Sequence, residues 1–157
     1  MKMLYIHAKE LWVEAGISGK SRSRHAREEK NLRRKLGDIL PELTASNRAI
    51  SAKNALLALV CVEREDGRLD LGKVKEDILR ARALIGAAEI VVGAFAHLST
   101  DTASAMLARE IVDRLVGLVE AQFPKTTSWP FGWDKGIGLE VPLHHYNMAF
   151  RSFEPMK

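Results

Sequence analysis

Two stretches of the chain hold residue types that can move protons or stabilise charge. The first is Ala94-Phe95-Ala96-His97-Leu98-Ser99-Thr100. It reads as a strand running out toward a helix, and a histidine at that junction is placed to emerge into a cleft. Helix amides just beyond it can hold negative charge. The competing reading of His97 is a partly buried imidazole bonded to backbone. The second stretch is Trp129-Pro130-Phe131-Gly132-Trp133-Asp134-Lys135-Gly136. Three aromatics, a proline and two glycines surround an Asp–Lys pair. A lysine beside apolar groups loses affinity for its proton or presents its charge in a poorly hydrated site. The competing reading is a hairpin with an exposed lysine.

Other candidates are weaker. His144 and His145 invite a metal site, but neighbours on a strand point to opposite faces. Cys61 sits inside an apolar run and reads as an inert core thiol. Gly136-Ile137-Gly138 reads as a turn. No phosphate-binding loop, dinucleotide glycine motif or HExxH appears, and no serine or cysteine elbow is visible.

The elements that must position these residues follow from pattern. Lys2–Ala8 is a buried strand, and Leu11–Ala15 is a second segment able to pair with it. Gly16–Ser23 is a loop. Arg24–Leu36 is a charged helix with a thin apolar stripe. Gly37–Ser46 is irregular around Pro41. Ala55–Val62 is a buried strand, followed by a turn-like Glu-Arg-Glu-Asp-Gly-Arg. Leu71, Val74, Ile78, Ala81 and Ile85 recur at helical steps, and Ala88–Phe95 is another buried strand. Asp101–Phe123 is the clearest helix, with Ser99, Thr100 or Asp101 as its cap and Pro124 as its stop. Extended segments are expected over Ser128–Trp133, Gly138–Val141 and Leu143–Phe153. In the last, Tyr146, Met148 and Phe150 fall on one side. The fold class is α/β: one domain over residues 1–157, with a mixed sheet and packed helices.

Composition narrows the class. The chain has 157 residues, 46% hydrophobic and 28% charged, which suits a globular domain with a real core. One cysteine excludes an internal disulfide framework and a cysteine-rich zinc site. It is compatible with a reducing cytoplasm, the expected location. No apolar run reaches the length of a membrane span, and the start does not read as a secretory signal. The net charge is +4 and the pI about 9.3. Between Lys20 and Lys35 eight Lys or Arg residues stand against Glu28 and Glu29. That segment is either a solvated helix or a phosphate-contacting patch.

At these two stretches the chain resembles the N-terminal editing domain of archaeal threonyl-tRNA synthetases, which has the D-aminoacyl-tRNA deacylase-like fold. The resemblance runs through Leu4–Ala8, Leu59–Asp66, Phe95–Ser99, Pro130–Lys135 and Pro142–His145. It implies removal of serine mistakenly attached to threonine tRNA, by hydrolysis of the ester at the 3′-terminal adenosine. By position, Lys135 corresponds to the family's active-site lysine and His97 to its active-site histidine. Val62, Glu63 and Arg64 match the strand end whose backbone contacts the adenine. Phe95, Ala96, Trp133, Asp134, His145 and His7 fall among the substrate-binding positions, the role of His7 being open. Two departures stand out. Asp134 replaces a common tyrosine, and His145 stands where the family has a glutamate. The resemblance also implies a homodimer, no cofactor and no membrane partner.

Read physically, an aminoacyl ester is already activated, so a positioned water and a stabilised oxyanion suffice. The resemblance gives Lys135 the water or the oxyanion, His97 the orientation of substrate or water, and the terminal ribose hydroxyl of the RNA much of the rest. Three alternatives remain: a D-aminoacyl-tRNA deacylase, a non-catalytic tRNA-binding accessory, and a metal hydrolase using His97, His144 or His145. The length leaves no room for an aminoacylation core with an anticodon-binding domain. The expectation is therefore an excised N-terminal domain or part of a freestanding editing protein, acting in cis or in trans with a synthetase.

Overall fold

The computed structural model describes residues 1–17 and 22–156. In chain order the elements are β1 (Lys2–Gly16), α1 (Arg22–Leu36), β2 (Ala49–Cys61), α2 (Leu71–Ile85), β3 (Glu89–Ala94), α3 (Ala105–Gln122), β4 (Thr126–Ser128), β5 (Asp134–Glu140) and β6 (Met148–Ser152). All six strands join one sheet in the order β4-β3-β2-β1-β5, with β6 also paired to β1. β5 takes the Glu10–Gly16 half of β1 and β6 takes the Lys2–Ile6 half. β2, β3 and β4 run parallel, and the remaining pairings are antiparallel. This is the mixed-sheet α/β architecture that was expected.

Each face of the sheet has its own core. On one face, Leu71, Val74 and Ile78 of α2 and Ile111, Leu115 and Val119 of α3 pack on Met3, Tyr5, Leu56, Val60 and Ile90. The α2 pattern works because its ends are chemically marked. The Asp70 carboxylate accepts from the amides of Gly72 and Lys73 at 3.0 and 3.3 Å. Gly86, with φ 64°, takes the left-handed turn that ends the helix. On the other face Ile6, Ala8, Leu11, Val13, Leu57, Leu59 and Val91 pack with Trp129. A third cluster of Ala15, Leu40 and Trp133, joined by Leu32 and Leu36, fastens α1.

Several boundaries differ from expectation, each for a local reason. Lys2–Ala8 and Leu11–Ala15 are one continuous strand. Lys9 and Glu10 are exposed, yet the ladder to β2 runs on with Glu10 opposite Lys53. The buried side chains switch parity there, from Ile6 and Ala8 to Leu11 and Val13, opposite Asn54 with its φ of 47°. α3 starts at Ala105 rather than Asp101, capped by Ser104, whose hydroxyl accepts from the Leu107 amide at 3.3 Å. The residues just before it are held elsewhere: the Ala103 amide donates to the Val62 carbonyl at 2.9 Å. Ser128–Trp133 is largely a turn rather than a strand, because Gly132 takes φ 79°. The last strand begins only at Met148, after a turn through residues 143–147. The expected loop over Gly16–Ser23 lies partly outside the described residues, and Lys20 lies wholly outside them.

The amino end is locked by charge. The Met1 ammonium is fully buried and donates to Asp66 Oδ1 at 2.7 Å, Glu63 Oε2 at 3.1 Å and the Phe153 carbonyl at 2.8 Å. A buried charge is tolerable only when paired in this way. Burial opposes ionisation of Glu63. The Ser99 hydroxyl at 2.6 Å, the ammonium and Lys2 outweigh it and hold the carboxyl below its ordinary range. A lowered carboxyl stabilises the fold above its unfolded-state value, and that contribution fades as pH falls through the folded-state value. The stability gap between wild type and Glu63→Gln is therefore wide at about pH 7 and narrow at about pH 3. Urea unfolding at the two pH values measures it, and a gap that stays constant contradicts this electrostatic account. Gly93 offers a second check. A Cβ there would stand 2.2 Å from the Trp129 ring. Gly93→Ala is expected to cost about 1–3 kcal/mol through overpacking, and an unchanged unfolding midpoint contradicts that close approach.

Candidate functional site

β3 ends at Ala94 and the chain enters a single 3₁₀ turn, Ala96–Leu98. His97 sits on this turn, exposed, with its ring edge-on to Phe95 at a centroid distance of 5.2 Å. The turn is stitched to the end of β2. The Phe95 amide donates to the Val60 carbonyl at 2.8 Å, and the Cys61 thiol reaches the Ala96 carbonyl at 3.5 Å. Arg64 Nε meets Asp101 Oδ1 at 2.9 Å. Val62–Arg64 and Phe95–His97 thus lie side by side. The Val62 carbonyl and the Glu63 amide are already engaged, by the Ala103 amide at 2.9 Å and Asp66 Oδ2 at 2.7 Å. Cys61 is buried, and burial pushes its thiol pKa up, as an inert core cysteine requires.

The second stretch is anchored by its tryptophans. Trp129 lies against Gly93, and its indole N–H donates to the Ala94 carbonyl at 3.2 Å. The chain then turns through Gly132, whose missing Cβ leaves room for Leu36 of α1. Trp133 is buried and its indole donates to the Pro41 carbonyl at 2.7 Å. Lys135 follows at the start of β5, opposite Ala15. Its Nζ donates to the Trp133 carbonyl at 2.7 Å and lies 5.5 Å from the centre of the Trp129 ring. That is within the reach of a cation–π contact. Burial lowers the Lys135 pKa to about 8, and Asp134 opposes the shift. The lysine of the second stretch is thus a desolvated amine on an aromatic platform rather than an exposed hairpin lysine.

Lys135 also lines an open cavity of about 740 Å³ with Asp134, Trp133, Glu14, His25 and Arg33. His97 is not among the residues that line it. The tie between His97 and Lys135 is Trp129, which bonds to Ala94 at the head of the histidine turn and carries the lysine over its ring. Trp129 as a platform, and α1 as a wall of the cavity, were not foreseen. The signal for the wall was present in the Leu32–Leu36 spacing on an otherwise charged helix.

His7 and His145 are placed away from this cavity. His7 alternates with Ile6 and Ala8, the residues that pack with Trp129, and so points from the opposite face of β1. Its Nδ1 is 2.6 Å from His144 Nε2, and its Nε2 is 2.8 Å from Asn54 Oδ1. The Tyr146 amide donates to His144 Nδ1 at 3.1 Å, so that nitrogen carries no proton. His144 Nε2–H then donates to His7 Nδ1, and His7 Nε2–H to Asn54. His144 therefore spends one ring nitrogen within the turn and the other on His7 of β1. His145 is exposed, edge-on to Tyr146 at 5.1 Å. Among the described residues no three His, Cys, Asp or Glu side chains are grouped to hold a metal ion.

Comparison with known proteins adds a family to this geometry. The chain is similar to a threonine–tRNA ligase of Pyrobaculum arsenaticum, 40% identical over 108 residues, covering 67% of this chain and 18% of that protein. A threonine–tRNA ligase of Thermofilum pendens is 29% identical over 157 residues, 99% of this chain and 23% of that one. A threonine–tRNA ligase editing subunit of Saccharolobus solfataricus is 29% identical over 116 residues, 72% of this chain and 30% of that one. The chain thus spans about a fifth to a third of the length of these relatives. Among solved structures, the c-Myc DNA unwinding element binding protein shares the fold with a TM-score of 0.68 at 10% identity, covering 99% of this chain and all of that one. Residues 38–153 match the Archaea-specific editing domain of threonyl-tRNA synthetase. That match takes in most of the sheet and both stretches that hold His97 and Lys135, and by it the chain belongs to the archaeal threonyl-tRNA synthetase editing-domain family.

Proposed function

We propose that residues 1–157 form an editing domain that hydrolyses L-serine from mischarged threonine tRNA at the 3′-terminal adenosine ester. The observation that carries this reading is the Lys135 amine, desolvated on Trp129 beside the histidine turn and at the wall of an open cavity. Water attacks the ester carbonyl, and the carbonyl oxygen gains the negative charge of a tetrahedral intermediate. The Lys135 ammonium stabilises that oxyanion, and His97 orients substrate or water. The C–O bond to the ribose then breaks, and the departing ribose oxygen takes a proton that the attacking water gave up. The neighbouring ribose hydroxyl of the RNA assists that transfer. Val62–Arg64 with Phe95 and Ala96 hold the adenosine, and Trp133 and Asp134 border the acyl end. His7 and His145 lie away from the cavity and take no part in this step. No cofactor is needed for this chemistry.

Selectivity follows from size. One methyl group separates serine from threonine and is worth only about 1–3 kcal/mol in a binding pocket, so a second sieve that admits the smaller product is needed. The partner is threonine tRNA carrying serine, with a synthetase catalytic domain in cis or in trans in the cytoplasm. No helix among the described residues is long and apolar enough to cross a membrane. A homodimer is the expected assembly. Ile137 and Leu139 of β5 and Met148 and Phe150 of β6 are exposed on the sheet face that α2 and α3 leave uncovered.

Three measurements bear on this reading. L-seryl-tRNA is deacylated faster than L-threonyl-tRNA or D-seryl-tRNA, and Lys135→Met lowers kcat on L-seryl-tRNA by about 100- to 1,000-fold. A Lys135→Met protein that works at the wild-type rate contradicts the assignment. The ratio of wild-type to Lys135→Met rates falls as pH rises through about 8, where the ammonium gives up its proton; a ratio that climbs through this range makes the lysine a base instead. Light scattering reports a dimer for the wild type and a monomer for the Met148→Glu, Phe150→Glu double variant, and a wild-type monomer contradicts the expected assembly.

A further inference from the structure

We propose that α1 is a phosphate rail, which takes the sugar–phosphate backbone of the RNA strand whose 3′ end enters the cavity beside Lys135. The inference rests on the substrate reading above. It assigns the helix that the family match, beginning at residue 38, does not reach.

Charge distribution is the first argument. α1 holds seven Lys or Arg residues against Glu28 and Glu29, a net charge of +5. The whole chain carries only +4, so the rest of the molecule is slightly acidic and its positive charge is concentrated on this helix. Arg27, Lys30 and Arg34 stand at steps of three and four and form one exposed stripe. Like charges on one stripe repel one another, which costs helix stability unless a polyanion covers them.

Placement is the second. Among the described residues, Leu32 and Leu36 are the apolar side chains by which α1 joins the core. Both leucines pack with Trp133 and Leu40, and Leu36 fills the space that a Cβ on Gly132 would need. The Arg33 guanidinium lies 5.5 Å from the centre of the Trp133 ring and bonds to Glu29 at 2.9 Å. The helix is therefore clamped to the loop that delivers Lys135. Its inner side, through His25, Glu29 and Arg33, forms part of the cavity wall facing Asp134 and Lys135. That lining mixes both signs of charge, whereas the outer stripe is uniformly basic. Phosphates fit the stripe and the acylated terminus fits the cavity, and one helix carries both surfaces.

The test uses a variant with Arg27→Gln, Lys30→Gln and Arg34→Gln, all exposed positions, whose fold is checked by thermal melting. Binding of an uncharged acceptor-stem hairpin ending in ACCA is followed by fluorescence anisotropy over a potassium chloride series. The slope of log affinity against log salt becomes shallower by about 2–3 in the variant, as expected for three lost phosphate contacts. KM for seryl-tRNA rises about tenfold or more, with kcat unchanged and hydrolysis of the small ester seryl-adenosine unaffected. A folded variant with wild-type hairpin affinity and salt slope overturns the rail. A variant that loses seryl-adenosine hydrolysis also overturns it, because the helix would then act on the chemistry. If the wild type hydrolyses neither ester, the deacylase reading falls, while the hairpin slopes still judge the rail.

Discussion

The contact between Trp129 and Gly93 is the constraint on which the site depends. The ring occupies the volume that any side chain at position 93 would fill. It covers part of the sheet face that α2 and α3 leave open, and its indole N–H is tied to Ala94. The loop from Trp129 to Lys135 is therefore held at the head of the histidine turn, although the two stretches are more than thirty residues apart in sequence. The same ring provides the surface under Lys135 Nζ. Without it, the lysine would be one more solvated cation. With it, burial brings the amine to a pKa of about 8, and below that pH it presents a poorly hydrated positive charge.

The two faces of the sheet divide the work. The face under α2 and α3 carries the larger core and the paired Met1 ammonium, so it supplies most of the stability. The opposite face carries Trp129, Phe95 and Leu98 beside the strand ends. Glu63 joins the two. It holds the buried ammonium on one side and accepts from Ser99 of the histidine turn on the other. The turn that presents His97 is thus braced by the same charges that close the amino end, a coupling between stability and site geometry.

Much of this was legible in the residues themselves. α2 was legible to its ends because its 3–4 apolar rhythm starts at Leu71 and stops at Ile85, the bounds the helix takes. The two stretches around His97 and Lys135 were legible because their residue types are dense and unusual. Other features were not, and each has a physical reason. The continuity of β1 was hidden by Lys9 and Glu10, polar residues that interrupt an alternation while the backbone ladder continues. The start of α3 was hidden because Ser99, Asp101 and Ser104 are all acceptable caps, and the choice among them was made by the Ala103–Val62 contact with a distant strand. The pairing of His7 with His144 depends on how β1 meets the turn before β6, which no local pattern reports. The role of α1 as a wall depends on Leu36 finding Gly132 across the chain.

The central claim is that the Lys135 amine is desolvated and faces the acylated end of the RNA. The most direct test is an NMR titration of protein labelled with carbon-13 at the lysine Cε, with and without a seryl-adenosine analogue whose ester is replaced by an amide. The account predicts one resonance, missing in Lys135→Met, that titrates near 8 and shifts when the analogue binds. A Lys135 resonance that titrates in the ordinary lysine range of about 10.4 and ignores the analogue would contradict it.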